Sequence, residues 1–461
     1  MTFWSKWIVR KKKRCPTQRA RGPFDRLRTA RLDAQRSCAW AGRCSLEAHS
    51  PDLTAKMALF VALGFDRFVG ESRPASRRPV PRRGISPKGD DVASRWAYLW
   101  KIYEKGKVMK KESLKIGVNL GGWISQYKEF DRHHFDTFIT KDDIRQIADW
   151  GFDHIRLPID YPIFEDDANP GIYHESGFAY LDRCLAWCQD NGLRVIFDMH
   201  KAPGYSFTNT LEAEMTEVNT LFTEPSMQQR FVNLWGALTR RYFDQAEDVL
   251  AFELLNEMVL PDSSPWNNLA QQIINHIREI DAHRLIIIGG NNYNDVNELS
   301  KIQINPDSNL SHTFHFYEPI VVTHQKAFWV VEMEQFNKTV NYPGEVPELA
   351  DFLKTHHPIH IPRYEKSFAR QLDRQFLVDM LKPAKQFMEQ KDKSLYCGEF
   401  GVIDQAPMQT RINWTQDFID ILNEYKIGYA YWCYKKMDFG LVDKNGNLIN
   451  KELLKVVTQQ G

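Results

Sequence analysis

Val249-Leu-Ala-Phe-Glu-Leu-Leu-Asn-Glu257 is a short, nearly continuous apolar run that ends on two polar residues, Asn256 and Glu257. A run of this length with little polar alternation reads as a strand buried on both faces, as in a parallel sheet. Seven runs of the same kind lie around it: Leu114 to Gly121, His154 to Ile159, Arg194 to His200, Arg284 to Gly290, Leu310 to Tyr317, Ser394 to Gly401 and Ile427 to Lys435.

Helical patterns fill the gaps. In the first, Thr140 and Asp143 have capping-box spacing, Ile144, Ile147 and Ala148 form an inner stripe, and Gly151 ends it. In the second, Phe178, Leu181, Leu185 and Cys188 recur at helical spacing before Asn191-Gly192. Further helices are expected at 226–242, 265–279, 294–301, 377–390, 408–424 and 450–458. Eight strand–helix units predict an α/β fold, a (β/α)₈ TIM barrel over 109–461. Residues 318–376, between strand 6 and its helix, hold Trp329, Phe336, Tyr342, Phe352 and Tyr364 and several prolines. A loop this long inside a compact domain predicts a small inserted subdomain over the C-terminal face of the strands.

Ahead of the barrel the composition changes. Residues 1–100 carry 22 Lys and Arg against 8 Asp and Glu, a net of +14, which leaves a net of −13 for the rest of the chain. This stretch shows no sustained period and is expected to bury too little apolar surface to order itself. Met57 to Gly70 is too short to span a bilayer. A nucleic-acid-binding arm and a transit peptide are the minor readings of residues 1–108. The main one is an upstream extension unrelated to the folded enzyme, with Met109 as the expected true start. Without an export signal of ordinary form the chain reads as cytoplasmic, secretion staying open if the start is misassigned. Seven cysteines without paired spacing predict no disulfide framework. His356-His357-Pro-Ile-His360 lacks a carboxylate or cysteine at ligand spacing and reads as loop histidines, not a metal site.

In a barrel of this class chemistry gathers at the C-terminal strand ends. Polar residues expected there are Arg156, His200, Asn256, Glu257, His315, Tyr317 and Glu399, with Trp432 beside them. A single histidine or tryptophan among them is more often packing than function, but so many at matching strand ends are not explained by packing. Glu257 and Glu399, delivered by different strands, supply the acid and the nucleophile that a retaining glycosidase needs about 5 to 5.5 Å apart.

The motifs Arg156-Leu-Pro, Asp198-Met-His200, Leu255-Asn256-Glu257, His315-Phe-Tyr317, Gly398-Glu399-Phe-Gly and Trp432 resemble, in order, the active-site residues of glycoside hydrolase family 5, the cellulase family. Four more stretches resemble a bacterial endoglucanase branch of it: Gly117-Val-Asn-Leu-Gly-Gly-Trp-Ile-Ser-Gln, His134-Phe-Asp-Thr-Phe-Ile-Thr, Gly289-Gly-Asn-Asn-Tyr-Asn and Tyr434-Lys-Lys-Met-Asp-Phe. The resemblance covers about 111–455. It implies double displacement, with Glu257 as acid/base and Glu399 as nucleophile, held ionised by Arg156 and Tyr317. It also implies that Asn256 holds the sugar 2-hydroxyl, His200 binds hydroxyls of the same sugar, His315 lies close to the acid/base and Trp432 forms the sugar floor. Asn119, Trp123, His134, Asn292 and Asp438 are weaker candidates for substrate contact.

The implied activity is an endo-β-1,4-glucanase with mixed-linkage activity, acting on β-glucan polysaccharides or oligosaccharides. An exo-β-1,3-glucanase or β-mannanase of the same family is the alternative, and a non-catalytic carbohydrate-binding protein the alternative of another class. No metal or organic cofactor is required, since two carboxyls suffice. No membrane partner is expected, and a monomer is the expected state.

Overall fold

A computed structural model describes residues 114–210, 219–391 and 394–459. The expectations for residues 1–108, for Met109 and for Cys15, Cys38 and Cys44 lie outside the described residues. Eight parallel strands, β1 (Ile116–Asn119), β2 (His154–Asp160), β3 (Arg194–Ala202), β4 (Leu250–Glu253), β5 (Leu285–Gly289), β6 (Leu310–Phe316), β7 (Leu395–Phe400) and β8 (Gly428–Tyr431), pair in the order 2-1-8-7-6-5-4-3. β2 also pairs with β3, and the sheet closes into the predicted (β/α)₈ barrel.

The alternation along each strand separates two cores. Val195 and Phe197, Leu250 and Phe252, and Ile286 and Ile288 belong to the large apolar core that includes the outer helices. Their neighbours Ile196, Ala251, Leu285 and Ile287 join Leu114, Tyr396 and Ala430 in a small apolar plug inside the barrel. Two residues beyond Ile196 and Ala251 stand Asp198 and Glu253, and beside them, two residues beyond Gly117, stands Asn119, all fully buried. Gly117 is needed below them, because a Cβ there would lie 2.1 Å from His154 Nε2. That nitrogen is 2.7 Å from Tyr396 Oη inside the ring.

The outer helices are α1 (Lys141–Asp149), α2 (Glu175–Asp190), α3 (Pro225–Arg241), α4 (Ser264–Ile280), α5 (Lys382–Lys391), α6 (Met408–Tyr425) and α7 (Lys451–Val457). Two expected helices differ. The 377–390 helix is two pieces, Arg374–Met380 and α5, because Pro383 cannot donate a backbone hydrogen bond and its ring clashes with the preceding turn. The 294–301 helix is a 3₁₀ turn over Val296–Lys301, preceded by Asn292, Tyr293 and Asn294 at φ 53°, 61° and 55°. Such left-handed residues cannot enter an α-helix.

The strands are also shorter than their apolar runs. β4 stops at Glu253, and Leu254 and Leu255 stay buried as the chain leaves the sheet. Residues 318–376 form short helical segments, among them Val331–Phe336, Leu349–His356 and Ile361–Tyr364, around buried Met333, Phe336, Leu349, Leu353 and Tyr364. Tyr342 ties this insertion to α6 through Asp417 (2.8 Å), and Asn413 donates to the Tyr342 carbonyl (3.0 Å). Among the described residues no helix is long and apolar enough to cross a membrane, and Cys184, Cys188, Cys397 and Cys433 are free and buried.

The predicted capping box of α1 is present and does a second job. Asp143 Oδ2 accepts from the Thr140 backbone (2.9 Å), while Oδ1 accepts from Tyr434 Oη (2.7 Å) and Lys435 Nζ (2.9 Å) of the segment after β8. Burial raises the Asp143 pKa, but the hydrogen bonds from Lys435 and Tyr434 outweigh it and hold the carboxyl below its usual range. Asp143→Ala leaves Lys435 buried without its anion, and is expected to cost about 3–5 kcal/mol, read from the urea unfolding midpoint. The carboxyl is depressed in the folded state, so its contribution is present above the unfolded carboxylate value of about 3.9 and disappears as pH falls through the folded value. The gap between wild type and Asp143→Ala should therefore narrow in acid; a gap that stays constant would mean the charge is not what the site uses.

Candidate active site

Arg156 sits on β2 with its side chain inside the barrel, fully buried. Its Nε and Nη2 grip both oxygens of Glu253 on β4 (2.8 and 2.9 Å). Nη2 also reaches Asn256 Oδ1 (2.9 Å) and Asp198 Oδ2 (3.1 Å), and Nη1 reaches Asn119 Oδ1 (3.0 Å) and Glu399 Oε1 (2.6 Å). Burial lowers the guanidinium pKa, but Asp198, Glu253 and Glu399 outweigh it, and the pKa is raised well above the ordinary value. The same burial lifts Asp198 to about 7 and raises Glu253, with Arg156 opposing in both cases.

Glu257 and Glu399 face one another. An oxygen of each and a ring nitrogen of His315 all lie within 4.8 Å of one another. Glu399 is held by Arg156 on one oxygen and by Tyr317 Oη on the other (3.1 Å). Glu257 Oε1 meets only a neutral ring, His315 Nδ1, at 2.8 Å. Burial first, and the charge of Glu399 second, push Glu257 well above the carboxylate range. Burial also raises Glu399, but Arg156, in direct contact with it, works against the rise, so the shared proton belongs to Glu257. His315 is lowered well below its usual value by burial and by Arg156, and stays uncharged.

Local backbone delivers these groups. The β2–β3 register shifts at His200, and the β6–β7 register shifts at Gly398, so that His315 pairs with Glu399. The shift at Gly398 breaks the in–out alternation that places Tyr396 inside and Cys397 outside, and so turns Glu399 to the barrel mouth. Glu257 lies past the end of β4 at φ 42°, a left-handed conformation that costs about 1–3 kcal/mol unless its surroundings hold it. Tyr205 Oη does so, donating to Glu257 O (2.8 Å) and accepting from Val259 N (2.9 Å).

His200 Nδ1 is fixed by Asp198 (2.7 Å), and burial lowers its pKa to about 4. Its ring lies parallel to Trp432, with centroids 5.8 Å apart. A Cβ at Gly121 would lie 2.7 Å from the Trp432 ring, which explains that glycine. His200 Nε2 and Asn256 Nδ2 are buried polar atoms without a protein partner.

The weaker candidates divide differently from expectation. Trp123 is fully buried, donating to Phe135 O (2.7 Å) and stacked on Trp187, which places it in the apolar core. Asn119 is fully buried and saturated by Arg156 and the Gly398 carbonyl (2.9 Å), which makes it a brace for Arg156. His134 Nε2 is held 2.7 Å from Gly122 O. Asn292 and Asp438 are exposed, each within a left-handed turn. Sequence reasoning assigned no role to Asp198, Glu253, Tyr205 or Asn294. The signal for Asp198 was its place two residues before His200, on the same strand face.

Residues 117–438 match the family model for cellulase, glycosyl hydrolase family 5. The chain is 46% identical over 353 residues to Endoglucanase C of Acetivibrio thermocellus, covering 76% of this chain and 99% of that relative. It is 32% identical over 323 residues to Cellodextrinase A of Ruminococcus flavefaciens, covering 69% and 85% of the two chains. Among solved structures, endoglucanase Cel5A of Thermotoga maritima shares the fold, with a TM-score of 0.60 and 24% identity over 77% of this chain and 99% of that one. A barrel with two facing glutamates at its mouth, matched over most of its length by one family model and by relatives of that family, makes this chain a glycosidase that belongs to glycosyl hydrolase family 5.

Proposed function

We propose that this glycosidase is an endo-β-1,4-glucanase that also cuts mixed-linkage β-glucan, and that it retains anomeric configuration through double displacement. The similarity to Endoglucanase C, 46% identity over 353 residues and 99% of that relative, supports the substrate class. The observation that carries the mechanism is the contrast between two facing carboxyls: Glu399 is bound to a guanidinium and Glu257 to a neutral imidazole. Carboxyl oxygens within 4.8 Å of one another suit the close pair of a retaining enzyme better than the wider spacing that lets a base activate water for inversion.

In the first step a carboxylate oxygen of Glu399 attacks the anomeric carbon. The bond to the leaving oxygen breaks, and that oxygen takes the proton of Glu257. The product is a glycosyl ester on Glu399 and an ionised Glu257. In the second step Glu257 removes a proton from water, the water oxygen attacks the anomeric carbon, and Glu399 leaves as carboxylate. Arg156 and Tyr317 stabilise the Glu399 charge at both ends of this cycle. Asn256 Nδ2 and His200 Nε2, buried polar atoms without a protein partner, suit sugar hydroxyls, and the Trp432 face suits the apolar side of a β-glucosyl ring.

Aryl β-cellobioside hydrolysis tests the two roles. Glu399→Ala and Glu257→Ala are each expected to lose about 10²–10⁴-fold or more in activity. Azide should rescue Glu257→Ala with a β-glycosyl azide and Glu399→Ala with the α-azide; wild-type rates in both variants would end the proposal. Rapid viscosity loss on soluble cellulose and barley glucan, with little action on laminarin or mannan, is expected of the endo-1,4 reading.

The pH profile follows from the same pair. Activity needs Glu399 ionised and Glu257 protonated, so kcat/KM is expected to fall in acid as the pair takes up a second proton. It falls in alkali as Glu257, held well above the carboxylate range, loses its own. With a dinitrophenyl cellobioside, which needs no acid, Glu257→Gln should keep the acid limb and lose the alkaline one. An alkaline limb that persists would assign it to another group.

A further inference from the structure

Asn294 touches neither glutamate, yet it ends a hydrogen-bond chain that reaches Glu257. Its Nδ2 lies 3.3 Å from His315 Nε2, and His315 Nδ1 lies 2.8 Å from Glu257 Oε1. Asn294 is fully buried and His315 is 5% exposed, so water does not compete for either contact. With Asn294 Nδ2 turned to His315 as it is here, and its Oδ1 left without a protein partner, the amide nitrogen donates to a bare ring nitrogen, and a neutral imidazole then carries its proton on Nδ1. Nδ1–H donates to Glu257 Oε1, and the acid proton of Glu257 is left on Oε2. The opposite tautomer would present a bare Nδ1, which would accept that proton and hold it away from a substrate.

The chain around Asn294 is shaped to keep the amide there. Asn292, Tyr293 and Asn294 are three successive left-handed residues, a conformation costing about 1–2 kcal/mol per residue for side chains other than glycine. Tyr293 N donates to Met258 O (3.1 Å), and the Asn291 amide exchanges two 2.8 Å hydrogen bonds with Leu260. The turn therefore braces the segment just after Glu257 through the backbone and the Glu257 carboxyl through His315. Gly289 leaves the space, since a Cβ there would lie 2.3 Å from Asn294 Oδ1.

We propose that Asn294 is a positioning residue that fixes the His315 tautomer and so keeps the Glu257 proton available to the leaving group. This rests on the acid role of Glu257 proposed above. It predicts a defect that depends on how much the leaving group needs an acid.

The test measures kcat/KM for dinitrophenyl and phenyl β-cellobiosides in wild type, Asn294→Ala, Gly289→Ala and Glu257→Ala. Gly289→Ala keeps the asparagine but pushes its amide aside, so it reports on the contact if Asn294→Ala folds poorly. Both variants are expected to lose about tenfold more on the phenyl than on the dinitrophenyl substrate, in the direction of the larger difference in Glu257→Ala. Nitrogen NMR of the histidine-labelled full chain should find the His315 proton on Nδ1 in wild type and redistributed in Asn294→Ala. Equal losses on both substrates, or a wild-type proton on Nε2, overturn the proposal. If Glu257→Ala itself shows no leaving-group dependence, the acid assignment has failed and not the positioning one.

Discussion

A single guanidinium inside the barrel governs the charge of everything near it. Arg156 is fully buried and contacts Glu253, Asp198, Glu399, Asn119 and Asn256 at 2.6 to 3.1 Å. An unpaired cation at that depth would be untenable, and so would the carboxylates without it. Arg156 therefore joins β1, β2, β3, β4 and β7 at one level, directly above the apolar plug. Removing any one partner leaves the others with charge they cannot shed to water, which is why this layer is built only of groups that bond one another.

One cation does not balance the carboxyls around it. Asp198, Glu253, Glu257 and Glu399 are all raised by burial, and Arg156 opposes the rise in each. How far it succeeds depends on contact: Glu399 receives a direct 2.6 Å hydrogen bond, and Glu257 receives none from Arg156. Two chemically identical side chains thus separate into a proton holder and an ionised partner by distance to one charge. His200 and His315 take no part as cations, because the same burial and the same guanidinium keep both neutral.

The insertion shares a wall of this layer. Tyr317, which donates to Glu399, packs edge-on against His324 (5.0 Å) and Phe439 (5.8 Å), and His324 packs against Trp329 (5.9 Å). His324 and Trp329 belong to the insertion, and Phe439 to the segment after β8. The Tyr317 ring is therefore set by two excursions from the barrel as well as by its own strand. Burial pushes Tyr317 well above its usual pKa, so it remains a donor. The histidines at 356–360 are engaged within the insertion, with His357 on Gln335 (2.9 Å) and His360 near Glu332 (3.7 Å).

The sequence by itself determined the barrel and the identities at its mouth. Eight buried runs separated by amphipathic helices leave one economical arrangement; His200, Asn256, Glu257, His315, Tyr317, Glu399 and Trp432 stand at or near the ends of those runs, and Arg156 stands early in β2, inside the barrel. Local rules also sufficed for the α1 capping box, because it joins residues three apart. Tertiary structure alone decided where each run stops being a strand, since Leu254 and Leu255 are as apolar outside the ladder as Phe252 is within it. It alone turned Trp123 into core, gave Asn119, Asp198 and Glu253 to Arg156, and set Asn294 behind His315. Those assignments depend on which side chains meet across a closed ring from strands far apart in the chain, and on contact with Arg156, which separates the protonation of Glu257 and Glu399 without changing either residue.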